Sequence, residues 1–266
     1  MRARRDVLKL FAFAAATTGA VGSLTVNPVS SNARRNYVLV HGAWVGGWIW
    51  RRVSDQLAIA GHRVFTPSLT GLGDRRHLLT RETNMDTHIR DIIALIEIEE
   101  LNDVILVGHS YGGIVTTGVA AKVPQHLKQL VYLDALLVEG GESWSSAHAA
   151  DIVTARRKAA QESSAGLTLP VPKSGINDPG DAAWVERRMT PHPFSTYEQK
   201  MHWGGAIGNG VPKVYIDCTQ PALTAIAAMK DKYRGRADWP FIEIKTGHNA
   251  QVTAAKEVTE LLLRFA

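Results

Sequence analysis

The sequence predicts an α/β fold: a mostly parallel central sheet flanked by helices, with a helical cap insertion. Three features predict it. Short apolar runs alternate with helical patterns, a Gly-x-Ser-x-Gly turn joins one such run to the next helix, and one long polar segment interrupts the rhythm.

Taken in order, Tyr37–Val40 reads as a buried strand ending at His41-Gly42. Arg51–Ala60 reads as a helix stopped by Gly61, and Arg63–Pro67 as the next strand. The apolar spacing makes Asp86–Glu99 helical, followed by a short strand at Asp103–Val107 and a helix over Ile114–Val123. Leu130–Leu133, Val214–Cys218 and Phe241–Ile244 complete the strands, and Ala254–Phe265 is a closing amphipathic helix. Strands separated by helices need crossover connections, which make the pairing parallel and cover both sheet faces.

Residues 140–212 break this alternation. The segment is polar and punctuated by Pro and Gly, with helical stretches expected at Asp181–Met189 and Thr196–Trp203. Trp184, Met189, Phe194, Tyr197, Met201 and Trp203 give it more apolar surface than a plain excursion needs, so it is expected to cap a site.

The chain has 266 residues, 45% hydrophobic and 21% charged, an ordinary globular balance that one α/β domain accommodates. Cys218 is the single cysteine, so no intramolecular disulfide can form. The net charge of +5 suggests an anionic partner until it is located. Arg2, Arg4, Arg5 and Lys9 against Asp6 place most of it in the first 33 residues, and no basic run interleaved with aromatics follows. Nucleic-acid binding is therefore not expected. Arg4-Arg5-Asp6-Val7-Leu8-Lys9, a modest apolar stretch and Ser31-Asn32-Ala33 resemble a twin-arginine export signal over residues 1–33. The expected mature form, from residue 34, is periplasmic or secreted, a monomer or homodimer, and free of membrane contact.

The strongest chemical signal is Val107-Gly108-His109-Ser110-Tyr111-Gly112-Gly113, between a strand and a helix. In that setting Gly-x-Ser-x-Gly is a nucleophile elbow: a sharp turn holds Ser110 in a strained conformation and lifts its hydroxyl above the sheet edge. Gly108 and Gly112 leave room for the turn because neither has a Cβ. The Tyr111 N–H, opening the helix, then points towards developing negative charge. A second donor is expected from the loop after the first strand, His41-Gly42-Ala43-Trp44, with Ala43 as donor and His41 as a structural hydrogen-bonding residue.

The order of such triads places the base after the last strand, and among the ten histidines His248 alone has that position. His109 is expected to point away from Ser110, and His148, His192 and His202 to face solvent or substrate. The acid usually follows the penultimate strand, but Thr219-Gln220-Pro221-Ala222-Leu223 holds no carboxylate. Asp134 ends the strand before it and needs a partner if buried, so it is the expected acid, with Asp217 the alternative inside its strand.

Tyr37–Trp48, Ala60-Gly61-His62-Arg63-Val64 and Val104–Ser110 together resemble the α/β-hydrolase superfamily. Within it they look like the plant methylesterase and hydroxynitrile lyase family and its bacterial esterase relatives. The likeness runs over residues 37–138 and 212–264 and is loose across the cap. It implies hydrolysis of small carboxylic esters by Ser110 and His248, with Ala43 and Tyr111 as oxyanion donors and neither cofactor nor metal. The plant enzymes carry their acid after the penultimate strand and none at the place of Asp134; the two departures look reciprocal. The lyases resemble a pattern with Thr after the first-strand His and Lys after the catalytic His. Here those positions are Gly42 and Asn249, so cyanohydrin cleavage is not expected.

Epoxide hydrolases and haloalkane dehalogenases need an Asp nucleophile and are set aside. Lactone, thioester or amide hydrolysis and cofactor-free perhydrolysis would use the same triad; a non-catalytic binding module would not need it. The cap's aromatic content suggests a hydrophobic, aromatic ester held by Trp44, Trp184, Phe194 and Trp203. Arg187 and Arg188, paired on a helix, read as solvated charges rather than as partners of a substrate carboxylate.

Overall fold

The computed structural model of the protein describes residues 34–266. The expected export signal over 1–33 lies outside the described residues. Six strands form one parallel sheet: β1 (Asn36–Val40), β2 (Arg63–Phe65), β3 (Val104–His109), β4 (Leu127–Leu133), β7 (Lys213–Cys218) and β8 (Phe241–Ile244). Their spatial order is β2-β1-β3-β4-β7-β8, with Tyr37 beside Ile105, Val107 beside Val131, Tyr132 beside Tyr215 and Ile216 beside Ile242.

The period-two alternation of side chains sorts these strands onto two cores. Val38, Val40, Leu106, Leu130 and Tyr132 pack against α2 (Met85–Ile98) and α3 (Gly112–Lys122). Their neighbours Tyr37, Leu39, Ile105, Val107, Val131 and Leu133 pack on the opposite face, against α1 (Arg51–Ile59) and α9 (Ala255–Leu263). Helix α3 is buried nearly all round, which explains its run of small and apolar residues without a polar stripe. Asn84 starts α2 through a capping box with Thr87.

The chain reverses its direction of travel across the sheet between β1 and β3, and clefts in open α/β sheets form above such points at the strands' C-terminal ends. Between β4 and β7 lie α4 (Ala150–Ser164), β5 (Thr168–Leu169), α5 (Pro179–Glu186), β6 (His192–Pro193) and α6 (Ser195–Glu198). Helix α4 was not expected, because Ala160 is its only buried residue and it shows no apolar stripe. Helix α6 is shorter than the expected Thr196–Trp203. Gln199 turns extended there and binds the start of α2, accepting from the Met85 N–H at 2.7 Å and donating to Asp86 at 2.7 Å. Helices α7 (Ala227–Tyr233) and α8 (Ala250–Thr253) complete the chain.

Candidate active site

Ser110 sits between the end of β3 and the start of α3 with φ 52°, a left-handed conformation that costs a non-glycine residue energy. Neighbouring backbone holds it there. Its carbonyl accepts from the Gly113 and Leu136 N–H groups at 2.9 and 2.8 Å, and its N–H donates to the Leu133 carbonyl at 3.3 Å. A Cβ on Gly108 would lie 2.7 Å from the Gly112 carbonyl, and one on Gly112 would lie 2.7 Å from the His41 carbonyl. Only glycine fits at either place.

The loop after β1 lies alongside. His41 Nδ1–H donates to the Gly42 carbonyl at 2.7 Å and Nε2 accepts from the Leu69 N–H at 3.0 Å, so His41 is structural, as expected. Burial lowers it to about 4, which keeps it neutral. A Cβ on Gly42 would come within 3.0 Å of both Ser110 Cβ and His109 Nδ1, leaving little space for a larger residue. Trp44 has φ 64° and is clamped from the β4–β7 segment. The Thr190 N–H donates to its carbonyl at 2.8 Å, and its own N–H donates to His192 Nδ1 at 3.4 Å. His192 Nε2–H in turn donates to Thr196 Oγ1, whose hydroxyl donates to the Pro193 carbonyl, both at 2.8 Å. His192 therefore faces neither solvent nor substrate: it is fully buried and braces the loop that carries Ala43. Among the described residues, neither the Ala43 nor the Tyr111 N–H donates to a protein acceptor. The Tyr111 ring is fixed separately, its hydroxyl 2.7 Å from His88 Nδ1.

His248 follows β8 and lines the same cavity as Ser110. Its Nδ1 lies 2.6 Å from Asp134 Oδ2, leaving Nε2 as the ring's remaining nitrogen. Its carbonyl accepts from His109 Nε2–H at 2.9 Å, and His109 Nδ1 accepts from Gln251 at 3.2 Å. His109 thus turns to the His248 backbone rather than to Ser110. Burial first, and then the charge of His248, push it down to about 3.

Asp134 ends β4 with φ 41° and no exposure. Burial works to raise its carboxyl, but the hydrogen bond and charge of His248 and the ammonium of Lys230 outweigh it and hold the group below the ordinary carboxylate value. Lys230, on α7, is itself buried and joins two carboxylates: Asp134 Oδ1 at 2.5 Å and Asp217 Oδ1 at 2.7 Å. Arg234 closes the row on Asp217. Asp217 is thus committed to two cations and His248 to Asp134. A lysine far along the chain carries no sequence signal for this, beyond the rarity of buried lysine.

The cavity measures about 360 Å³ and includes Ala43, Trp44, Ser110, Tyr111 and His248 in its wall. Of the four aromatic residues expected to hold substrate, only Trp44 lines it. Trp184 packs edge-on to Trp48 with Arg52 and Arg188 over its ring, Phe194 packs on Tyr197, and Trp203 lines a separate groove beside Asp86 and Lys200. Aromatic content predicts apolar packing, not direction, and these three partly buried side chains pack elsewhere. Trp144 takes the expected place, 5.8 Å from the Trp44 ring and 5.4 Å from Tyr111. Among the described residues, no group of three or more His, Cys, Asp and Glu side chains is arranged to hold a metal ion.

A six-stranded parallel sheet with a strained serine at the β3–α3 turn defines the α/β hydrolases as a class. The sequence profile of the alpha/beta hydrolase family matches residues 37–261, and the chain belongs to that family. It is 39% identical over 236 residues to a carbendazim hydrolyzing esterase of Nocardioides sp. (strain SG-4G), covering 85% of this chain and 98% of that one. An alpha-hydroxynitrile lyase of Arabidopsis thaliana is 39% identical over 106 residues, covering 39% of this chain and 41% of the lyase. Among solved structures, an extracellular alpha/beta-hydrolase from a Paenibacillus species superposes with TM-score 0.75 at 23% identity, over 87% of this chain and 99% of that one. A pyrethroid hydrolase from Sphingobium faniae superposes with TM-score 0.63 at 20% identity, over 87% and 96%.

Proposed function

We propose that the protein is a serine carboxylesterase that hydrolyses small to medium hydrophobic, aromatic esters through Ser110, His248 and Asp134. The observation that carries the reading is the 2.6 Å pair of His248 Nδ1 and Asp134 Oδ2, set in one cavity with a serine at a strained elbow. Asp134 holds Nδ1, leaves Nε2 free to act as the base, and stabilises the imidazolium that forms.

His248 Nε2 takes the Ser110 proton as Oγ attacks the ester carbonyl. The Ala43 and Tyr111 N–H groups hold the oxyanion, and each such donor contributes roughly 3–4 kcal/mol to the transition state. His248 then protonates the departing alkoxide. Water repeats the sequence on the acyl-enzyme, giving the acid and restoring Ser110. The wall residues Trp44, Leu136, Trp144, Met189, Leu223 and Ile226 suit an apolar substrate. The likeness to an esterase over nearly that enzyme's full length supports ester cleavage. Asn249, beside His248, donates to the Ser174 carbonyl at 3.0 Å and supplies no cation for a leaving cyanide, which argues against the lyase reading.

The test is a panel of p-nitrophenyl and methyl aryl esters, with carbendazim included, run on the parent and on Ser110→Ala, together with labelling by a fluorophosphonate probe. Parent turnover and labelling, both lost in Ser110→Ala, are expected; turnover that survives in Ser110→Ala sinks the reading. We also propose export through the Arg4-Arg5 segment, tested by fractionating cells that express the parent and Arg4→Lys/Arg5→Lys.

A further inference from the structure

Two cations, Arg156 and Lys173, lie in the wall of the Ser110 cavity, and that wall contains no aspartate or glutamate. Lys173 is almost fully exposed and is paired with Glu186. Arg156 differs in each respect. It is on α4 and partly buried, and among the described residues no carboxylate pairs with it; the nearby Glu198 goes to Arg157 instead. Its guanidinium lies over two rings, 5.3 Å from the centre of Trp144 and 5.0 Å from that of Tyr197, which fixes its plane. Its Nη1 is buried with no hydrogen-bond partner. Burial weakens its hold on its proton relative to a free arginine.

A partly desolvated cation without a counter-ion is costly, and its contacts with the Trp144 and Tyr197 rings recover only part of the loss. The remainder is recovered if the partner arrives with the substrate. The position suits that role. Trp144, under the guanidinium, packs directly on Tyr111 and on Trp44, so Arg156 stands one indole away from the loops flanking Ser110. His148 lines the same wall, its Nδ1 3.2 Å from the Tyr197 hydroxyl. Burial and the charge of Arg156 bring His148 down to about 4, so it is neutral and adds no competing charge near pH 7. Arg187 and Arg188 are absent from the cavity wall, and Arg188 lies over Trp48 and Trp184.

We propose that Arg156 is a specificity-determining residue, and that the preferred substrates are esters carrying a second, anionic group, a carboxylate placed an aromatic ring away from the scissile carbonyl. The low-dielectric wall and the absence of acids focus the guanidinium's field on that group, and its fork geometry matches a carboxylate. This inference rests on the serine-esterase reading.

The test compares monomethyl terephthalate, methyl 4-acetylbenzoate and methyl benzoate as substrates of the full-length parent, Arg156→Met and Arg156→Lys. Protection from fluorophosphonate labelling by the same three esters gives a binding readout that needs no turnover. For the parent, kcat/KM for monomethyl terephthalate should exceed that for methyl benzoate by about tenfold or more. Arg156→Met should lose roughly ten- to a hundredfold on the anionic ester, mainly through KM, the worth of one charge-assisted hydrogen bond. Its rate on methyl benzoate should stay within about threefold, and Arg156→Lys should recover part of the loss. Equal slowing on all three esters assigns Arg156 a structural role and overturns the proposal. So does a preference for the acetyl ester as strong as that for the acid. So does a labelled parent that the anionic ester protects no better than methyl benzoate. A parent that is neither labelled nor active overturns the serine-esterase reading instead.

Discussion

Replacing Lys230 by Met removes the ammonium that touches Asp134 Oδ1 at 2.5 Å and Asp217 Oδ1 at 2.7 Å, while leaving an unbranched chain of similar length in the same space. Asp217 keeps Arg234, but Asp134 keeps only His248 and a 3.4 Å contact from the Cys218 N–H. Breaking a buried ion pair by removing one partner costs about 3–5 kcal/mol. With a denaturant slope of about 3 kcal/mol per molar, the urea midpoint should fall by roughly 1 M or more. The sign of the pH effect follows from the same contact. Lys230 helps hold Asp134 below the ordinary carboxylate value, so without it the carboxyl takes up its proton at higher pH. A protonated Asp134 no longer stabilises the imidazolium. The acid limb of the kcat/KM profile should therefore move to higher pH, while the plateau keeps its shape. Adding Asp217→Asn removes the second carboxylate from the pair left facing the gap. The double variant should regain about 1–3 kcal/mol relative to additivity. A Lys230→Met protein with an unchanged urea midpoint and a superimposable pH profile refutes the reasoning, because Lys230 would then not bridge the two acids in solution.

Asp134→Asn should lower kcat by about 10⁴ with little change in KM, whereas Asp217→Asn should keep turnover within about tenfold; the reverse pattern in steady-state kinetics would move the acid to Asp217. His192→Leu leaves the Trp44 N–H without its acceptor, so it should destabilise the fold by about 1–3 kcal/mol. It should also slow kcat more than it raises KM, because the loop carrying Ala43 loses its brace; calorimetry and kinetics on one ester read both, and unchanged kcat rules out the brace. Acid should destabilise the protein early. Burial holds His41 and His88 at about 4 and His109 at about 3, against 6.5 in an unfolded chain. The unfolded state thus binds more protons between those values, and stability falls as pH drops through 6.5 towards 4. Three such groups give a slope of roughly 4 kcal/mol per pH unit near pH 5; urea midpoints that stay level from pH 7 to 5 contradict this.

What was legible in the sequence was local. The elbow at Ser110 is a contiguous motif whose glycines have a steric reason, and the strands are short apolar runs whose alternation sorts onto two cores. The pairing of Asp134 with His248 was legible because the order of elements places both at strand ends, and the sheet registers bring those ends together. The cap was not legible in the same way. Helix α4 packs through so little apolar surface that no periodicity marks it, although it carries Arg156. Trp144 lies in a polar stretch, while the more conspicuous Trp184, Phe194 and Trp203, each partly exposed, pack on other partners. The brace of His192 on Trp44 spans 148 residues, and nothing in either local sequence signals it.

The position of Asp134, the acid proposed above, follows from the geometry of the sheet. Strands β4 and β7 are neighbours, and the Asp134 N–H donates to the Ile216 carbonyl at 2.8 Å, so the turn after β4 lies against the end of β7. From there the left-handed backbone of Asp134 carries its carboxylate over that strand end, where Oδ1 is 3.4 Å from the Cys218 N–H. An acid on the loop after β7 and an acid on the turn after β4 can thus supply an oxygen to the same region beside His248. Two unpaired carboxylates there would repel in a buried setting. In this chain the Thr219–Leu223 loop contains none. The other nearby acid, Asp217, is tied to Lys230 and Arg234, so a single oxygen, Asp134 Oδ2, remains for the histidine. Lys230 is therefore as much a part of the placement of Asp134 beside His248 as the strand end that carries it.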